Sequence, residues 1–282
     1  MFAAVSQSDP PQSPARWSDG VAEISFALTD GETRLKHLYQ SDPCRVLFPS
    51  KQVRALKEAV IVTTSGGIVG GDRLCFAVDS GMSTSATVTT QAAEKVYRSA
   101  GRDSKIDISI TVREDALIEW MPQETILFQG ARLRRSTSID LAGEGRIIAG
   151  EIVVFGRRAR DEKFTEGLLH DAWRIRRGGS LIWADSLHLN GDIGSIVKAR
   201  HAFDSAAAVA TVVYCAADAA DWLYLARDAV RGGAATCVGN LLIARFVGRD
   251  AADLRTDVAC YWGTLRSEVA GLPTALPRVW KT

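Results

Sequence analysis

The stretch AVIVTTSGGIVGGDRL at residues 59–74, followed by TVTTQAAEKVYRS at residues 87–99, decides the fold of this chain. The run AVIVTT is apolar and β-branched, which is typical of a strand. It leads into two glycine pairs, Gly66-Gly67 and Gly70-Gly71. Glycine is favoured where the backbone needs a positive φ or where another group approaches it closely. The stretch therefore predicts a strand that breaks into a tightly shaped loop.

The loop glycines are spaced like those of a phosphate-binding loop, but the residues that follow do not fit one. Gly66 and Gly71 correspond to the first and last glycines of a P-loop, which continues with Lys and then Ser or Thr. This chain has Asp72-Arg73 in those places, and an aspartate would repel the phosphate. Nucleotide binding is not expected here. A structural turn between two strands and a loop shaped for a partner or an ion path both remain open.

Composition indicates a soluble globular protein. The chain has 282 residues, 46% hydrophobic and 24% charged, with a net charge of +1, enough for a sizeable core and without the basic excess of a nucleic-acid binder. We expect no membrane span and no secretory signal, and therefore a cytoplasmic location. Residues 1–16 carry three prolines among polar residues and are predicted to be a disordered lead-in to a single domain at 17–282. The five cysteines lack a CxxC spacing, so neither a disulfide framework nor a zinc site is expected.

Short runs of alternating apolar and polar residues continue from Val21 to about Leu141. Clusters of Gly, Asp and Ser separate them, as in a sandwich or a coiled stack of antiparallel strands. The C-terminal part is predicted to hold two helices at about 216–231 and 250–270, the second with Asp250 as its N-cap and Gly271 as its stop. We therefore predict a β-rich α+β fold, with stacked or coiled antiparallel strands in one large domain and a few helices, mostly C-terminal.

Two segments are less clear-cut. Residues 143–155 are predicted to be helical because Ile147, Ile148, Ile152 and Phe155 recur at helical spacing, although IVVF also suits a strand. Residues 237–248 are predicted to be one strand.

No enzymatic motif is visible. The chain has neither a GxSxG elbow nor an HExxH motif, and its four histidines stand in unrelated sequence contexts. His188 and Asp192 are four residues apart, but the intervening Gly191 indicates a turn and argues against a metal site. A hydrolase with an unrecognised carboxylate or histidine site remains the alternative function.

Carboxylates in apolar surroundings are the more informative feature. Glu119 lies between Ile118 and Trp120, and three further carboxylates in apolar sequence are Asp72, Glu151 and Asp185. Buried charges are costly and are usually paired. One interpretation places each carboxylate on the solvent face of its element or pairs it with an arginine such as Arg73, Arg157 or Arg177. The other lines an internal polar path for a divalent metal with Asp72, Glu151 and Asp185.

Six blocks, in this order, resemble the family of the urease accessory protein UreD, called UreH in some organisms: SGGIVGGDRL, TVTTQAAEKVYRS, IEWMPQETILFQGARLRR, EIVVFGRRA, DAWRIRRGGSLIWAD and LPRVWKT. The resemblance runs from about Trp17 to Thr282. One departure lies ahead of the glycines, where many relatives have a pattern like H-P-P-G-G. This chain has Thr63-Thr64-Ser65 there, so a histidine ligand at that place is missing.

The resemblance implies a β-rich protein without enzymatic activity that binds UreF, through UreF the GTPase UreG, and apo-urease, in a dimeric heterocomplex. The assembly would deliver nickel to urease, with a water-filled tunnel in the UreD-like subunit thought to carry the metal. The chain would then need no cofactor of its own, only transient nickel. The residues expected to form the partner or structural loop are Gly66, Gly67, Gly70, Gly71, Thr90, Gln91, Lys95, Tyr97 and Arg98.

Overall fold

The strands of this chain alternate between two stacked sheets. The computed structural model describes residues 17–49 and 56–281; the predicted lead-in at 1–16 lies outside them. The strands are β1 (Asp19–Thr29), β2 (Glu32–Ser41), β3 (Cys44–Leu47), β4 (Lys57–Thr63), β5 (Arg73–Asp79), β6 (Ser85–Gln91), β7 (Glu94–Val96), β8 (Ser104–Val112), β9 (Leu117–Met121), β10 (Thr125–Leu127), β11 (Arg132–Leu141), β12 (Arg146–Phe155), β13 (Leu168–Arg177), β14 (Ser180–Asn190), β15 (Ala208–Cys215), β16 (Gly233–Val238) and β17 (Leu241–Gly248). The α-helices are α1 (Ile193–Lys198), α2 (Leu223–Ala229) and α3 (Ala251–Ala270), and short 3-10 turns span Arg158–Arg160 and Arg278–Lys281.

Within the described residues, the first sheet (sheet A) has the strand order β14-β13-β11-β8-β5-β1-β2. The second (sheet B) has the order β16-β17-β15-β12-β9-β6-β4-β3, with β7 and β10 paired at one side. From β4 to β13 the chain passes repeatedly from one sheet to the other. Successive strands that this path adds to one sheet therefore run parallel to each other.

This coiled path confirms the β-rich class and the stacked, coil-like arrangement, with few helices, mostly C-terminal, but corrects the expected strand direction. The central pairs are parallel, including β5 with β8 and β6 with β9, whereas antiparallel pairs lie toward the sheet edges. The alternation of apolar and polar residues does not indicate strand direction, because it arises in any strand with one buried face.

Strand β12 replaces the helix predicted at 143–155, which was wrong. Its residues alternate between two buried faces, one packed on sheet A and one beneath α3. A strand buried on both faces reads as a continuous apolar run, so the helical spacing of its isoleucines was coincidental.

The C-terminal elements follow the sequence expectation in part. Helix α3 begins after Asp250, whose carboxylate accepts hydrogen bonds from Ala252 N and Asp253 N at 2.8 and 3.0 Å, and it ends at Gly271 with a φ of 62°. Both caps are confirmed. Helix α2 is shorter than the predicted 216–231. The single strand predicted at 237–248 instead spans the end of β16, a turn and β17, which form a hairpin.

A buried ion pair joins α3 to sheet B. Glu119 on β9 is fully buried and pairs with Arg266 on α3, with Oε2 to Nη2 at 2.7 Å. Trp262 donates to the same carboxylate at 3.1 Å, and the Thr87 hydroxyl donates to it as well. Glu119 is therefore not on a solvent face; it holds together the sheet and helix layers.

Candidate functional site

The glycine loop between β4 and β5 is held by the side chain of Asp72. One carboxylate oxygen accepts the backbone N–H of Ser18 and the other accepts that of Val69, both at 2.8 Å. Asp72 is buried, so these two bonds satisfy a charge that would otherwise be costly to bury. The carboxylate thus closes the loop on itself and ties it to the start of β1.

The loop is not a phosphate cradle. A P-loop directs free backbone N–H groups at its ligand, but here four consecutive or near-consecutive amides are already used within the protein. Ile68 N donates to Lys95 O, Gly71 N to Asp103 O, Asp72 N to Val69 O, and Val69 N to the Asp72 carboxylate. These four amides are therefore not free to bind a phosphate.

Close approach explains three of the four glycines, including Gly71, where a Cβ would lie 2.7 Å from the Trp17 ring. A Cβ on Gly67, where φ is 137°, would lie 2.5 Å from the Tyr97 ring, and one on Gly70 would lie 2.0 Å from Ser99 Oγ. Any larger residue would push the loop away from the segment after β7. The glycines therefore allow the loop to pack tightly against Tyr97 and Ser99.

An arginine-rich aromatic surface adjoins the loop. Tyr97 packs edge-on against Phe128 at 4.8 Å between centroids, and Arg157 lies over the Phe128 ring at 4.2 Å. Arg98 is 75% exposed and reaches Glu166 at 3.6 Å. We call the exposed parts of Gly66, Gly67, Lys95, Tyr97 and Arg98 the glycine-loop face. Exposed Arg and Tyr side chains in a rigid setting are typical of partner contacts.

A cavity of about 40 Å³ with a mixed polar and apolar lining lies between the sheets behind this loop. It has room for a few water molecules. Thr90 and Gln91, two of the residues expected from the sequence, line it, and so does Glu94. Burial raises the pKa of Glu94 to about 7, with Asp72 adding to the effect and hydrogen bonds from Thr63 and Lys95 opposing it.

The far end of this inner cavity is an ionic triad. Arg135 on β11 projects from the inner face of sheet A and contacts both Asp171 on β13 and Glu151 on β12, while its Nη1 donates to Thr125 Oγ1 at 3.0 Å. Arg135 and Asp171 are buried, and the Glu151 side chain is 11% exposed. Burial, reinforced by Asp171, raises the pKa of Glu151 well above its usual range despite Arg135. One arginine for two buried carboxylates leaves a charge that a proton or a cation would balance.

A second cavity, of about 290 Å³, adjoins the triad. It shares Glu151 and Trp173 with the inner cavity and extends past Asp171 to Asp185. The buried indole nitrogen of Trp173 lies near Glu151 but makes no well-formed hydrogen bond within the described residues, which favours a water molecule at this junction. We call the two cavities together the internal route; its carboxylates are Glu94, Glu151, Asp171 and Asp185.

The structure thus brings together two of the three carboxylates selected from the sequence. Glu151 and Asp185 line the internal route, whereas Asp72 is not among its lining residues and holds the glycine loop. The suggested arginine partners were wrong. Asp185 pairs with Arg245 at 2.7 Å, and Arg73, Arg157 and Arg177 instead contact Asp107, Glu162 and the Gly143 carbonyl.

Sequence reasoning missed Glu94, Arg135 and Asp171. For Asp171 and Arg135 the sequence holds a signal, because each lies on the face of its strand that otherwise carries apolar residues. Arg135 lies in phase with Leu133 and Ile139, and Asp171 with Leu169 and Trp173. A charge in the buried phase of a strand indicates an internal polar partner.

Other classes of site find no support among the described residues. They contain no group of three or more His, Cys, Asp or Glu side chains placed to hold a metal ion. No helix in the described ranges is long and apolar enough to cross a bilayer. All five cysteines lie in those ranges as free thiols, and burial raises the pKa of Cys44 to about 12, which makes a reactive thiolate at that position unfavourable.

The fold is a β-rich stack of two sheets with carboxylate-containing cavities between and beside them. The family described as UreD urease accessory protein matches residues 18–281. The chain is 41% identical over 276 residues to the urease accessory protein UreD of Magnetococcus marinus, covering 95% of each chain. It is 41% identical over 264 residues to urease accessory protein UreD 3 of a Bradyrhizobium species, covering 93% of this chain and 92% of that one. A UreD of Rhodopseudomonas palustris is 39% identical over 274 residues, covering 94% and 95%. The chain belongs to the UreD family of urease accessory proteins.

Proposed function

We propose that this chain is a non-enzymatic scaffold for urease maturation. It binds UreF, through UreF the GTPase UreG, and apo-urease, in a dimeric heterocomplex in the cytoplasm, and it passes nickel toward the urease active site. Its membership of the UreD family and the names of its relatives as urease accessory proteins support this role.

The observation that carries the nickel proposal is the charge imbalance at the Arg135 triad. Two carboxylates, Glu151 and Asp171, face one guanidinium at the point where the two cavities meet. A divalent cation there would replace the proton that the raised pKa of Glu151 favours. Glu94 in the inner cavity and Asp185 in the second cavity each add a further carboxylate to a largely apolar lining.

Weak coordination suits transfer rather than storage. The described residues offer no ready-made site of three or more ligands, so nickel in transit would keep much of its water shell and exchange carboxylate ligands one at a time. Arg135 and Arg245 would release their carboxylates as the cation arrives and recover them as it leaves. Asp72 serves this route indirectly, by fixing the loop beside Glu94.

Paired assays of assembly and activation test this proposal. We expect Glu151→Gln, Asp185→Asn and Glu94→Gln each to lower nickel-dependent activation of urease while the complex with UreF and UreG still forms by size exclusion. Asp107→Asn is the matched control, because Asp107 pairs with Arg73 on the outer face of sheet A and lines neither cavity. Full activation by all three route variants would refute the route. Loss of the complex together with activation would instead assign these residues a structural role.

GTP chemistry belongs to the partner in this proposal. Four loop amides are engaged within the protein, and Asp72 occupies the phosphate end of the loop. We expect no heat of GTP binding by calorimetry with the full-length chain. Micromolar binding that disappears in Gly66→Ala or Gly71→Ala would contradict this expectation.

A further inference from the structure

Two histidines meet on the outer face of sheet A, away from the internal route. His170 on β13 and His188 on β14 are directly opposite each other in an antiparallel pair. Their Nδ1 atoms are 3.3 Å apart, and the rings are edge-to-face with centroids 5.4 Å apart. The neighbouring residues Leu169 and Leu189 point inward and are buried, so the ladder holds both imidazoles on the outer surface.

The distance between the two nitrogens suits a shared metal ion. Two nitrogen ligands at about 2.0–2.1 Å from a tetrahedral metal are separated by about 3.3 Å. The histidine pair already has this separation, so chelation needs ring rotation but no backbone movement. Without metal, one Nδ1 carries a proton and donates to the other; a cation would displace that proton.

The nearest charged neighbour of the pair is partly compensated. Arg134 is the strand neighbour of His170 on β11, and its Nε contacts Asp103 at 2.6 Å. Asp103 also pairs with Arg132, so it offsets only part of the charge of Arg134. Asp171, next along the chain from His170, points to the opposite face and belongs to the internal route. The pair is therefore a separate feature from the carboxylate lining.

We propose that His170 and His188 form an exposed two-imidazole site for a late first-row divalent ion such as Ni²⁺, Cu²⁺ or Zn²⁺. Imidazole is a preferred ligand of these metals, whereas Mg²⁺ and Ca²⁺ prefer oxygen. The described residues place no third His, Cys, Asp or Glu at the pair, so the remaining positions belong to water and the ion exchanges readily. This site stands on its own geometry and does not depend on the proposed nickel route.

Calorimetric titration of the full-length chain with NiCl₂, and with CuCl₂ followed by electron paramagnetic resonance, tests the site. We expect one equivalent of Cu²⁺ with nitrogen hyperfine structure from two imidazoles. His170→Gln and His188→Gln should each lower the affinity for this Cu²⁺ ion about tenfold or more, while the far-UV circular dichroism spectrum is unchanged. His37→Gln is the matched control, because His37 lies at the opposite edge of the same sheet, near Glu23 at 3.7 Å.

Glu151→Gln provides a second control and should leave the same equivalent intact. Unchanged affinity in both pair variants, or an equal loss in His37→Gln, would overturn the proposal. So would a spectrum with oxygen ligands only.

Discussion

At the residue scale, the internal route places a carboxylate in an environment that favours its protonated form. The pKa of Glu94 is raised to about 7, chiefly by burial. Because the pKa of Glu94 is higher in the folded chain than in the unfolded chain, its charge opposes folding. The free energy of unfolding is therefore unaffected by Glu94 below about pH 4.5 and falls as the pH rises to about 7. The resulting penalty above pH 7 is roughly 3 kcal/mol.

We therefore expect Glu94→Gln to raise the melting temperature of the full-length chain at pH 8 and to leave it nearly unchanged at pH 4.5. Removing the titrating group removes the cost of holding its charge in the cavity wall. Thermal unfolding at the two pH values measures the difference. Glu32→Gln, at a side chain 69% exposed, should show no comparable pH dependence, and equal behaviour of the two variants would argue against a buried charge at Glu94.

The sequence predicts part of this site and stops at a physical limit. Glu151 and Asp185 stand out in apolar runs, and both line the cavity of about 290 Å³. The partners that surround them come from strands far apart in the chain, so Arg135 and Asp171 become recognisable only once the register of β11 with β13 is known. The pairing of His170 with His188 could not be predicted for the same reason, because it depends on a register that shifts at a bulge between Ile175 and Arg176.

At the scale of single elements, local signals were dependable where the backbone itself supplies the reason. Asp250 caps α3 and Gly271 ends it in the left-handed conformation, as expected from their positions. Side-chain capping and glycine at a positive φ depend on a few neighbouring residues only. In β12, by contrast, burial on both faces by other elements decided the structure, and a local pattern cannot report that burial.

Helix α3 offers a test of this local account. We expect Asp250→Ala to lower the free energy of unfolding by about 1 kcal/mol, because Ala252 N and Asp253 N lose their acceptor. Asp250→Asn should keep most of the stability, since the amide oxygen can still accept both bonds. Urea unfolding of the three proteins gives the comparison, and equal stability of the Ala and Asn variants would show that the cap contributes nothing.

At the scale of the whole molecule, the contact between Glu119 and Arg266 connects the helix layer to sheet B. Both side chains are buried, and the Glu119 carboxylate also accepts hydrogen bonds from Trp262 and Thr87. Removal of one partner leaves an unpaired buried charge. We expect Glu119→Leu to cost roughly 3–5 kcal/mol.

Replacing both partners, as Glu119→Leu with Arg266→Met, should cost less than the single Glu119→Leu change, because no charge then remains unpaired. Denaturant unfolding of the single and double variants measures the coupling. A double variant whose loss equals the sum of both single losses would show that the two groups act independently. Arg34→Met, in an exposed pair with Glu32, should change stability little.

The coiled path of the chain between the two sheets also governs how the protein reaches its native state. A strand such as β8 finds its neighbours β5 and β11 only about thirty residues away on either side, so few native contacts form early. The chain must lose the entropy of closing these loops before the strand contacts can stabilise it. High contact order of this kind slows folding. Partly wound chains present open parallel edges throughout that time, and such edges associate readily with one another. Dilution during refolding, or a partner present during synthesis, is then as important to the yield of this protein as the stability of its finished fold.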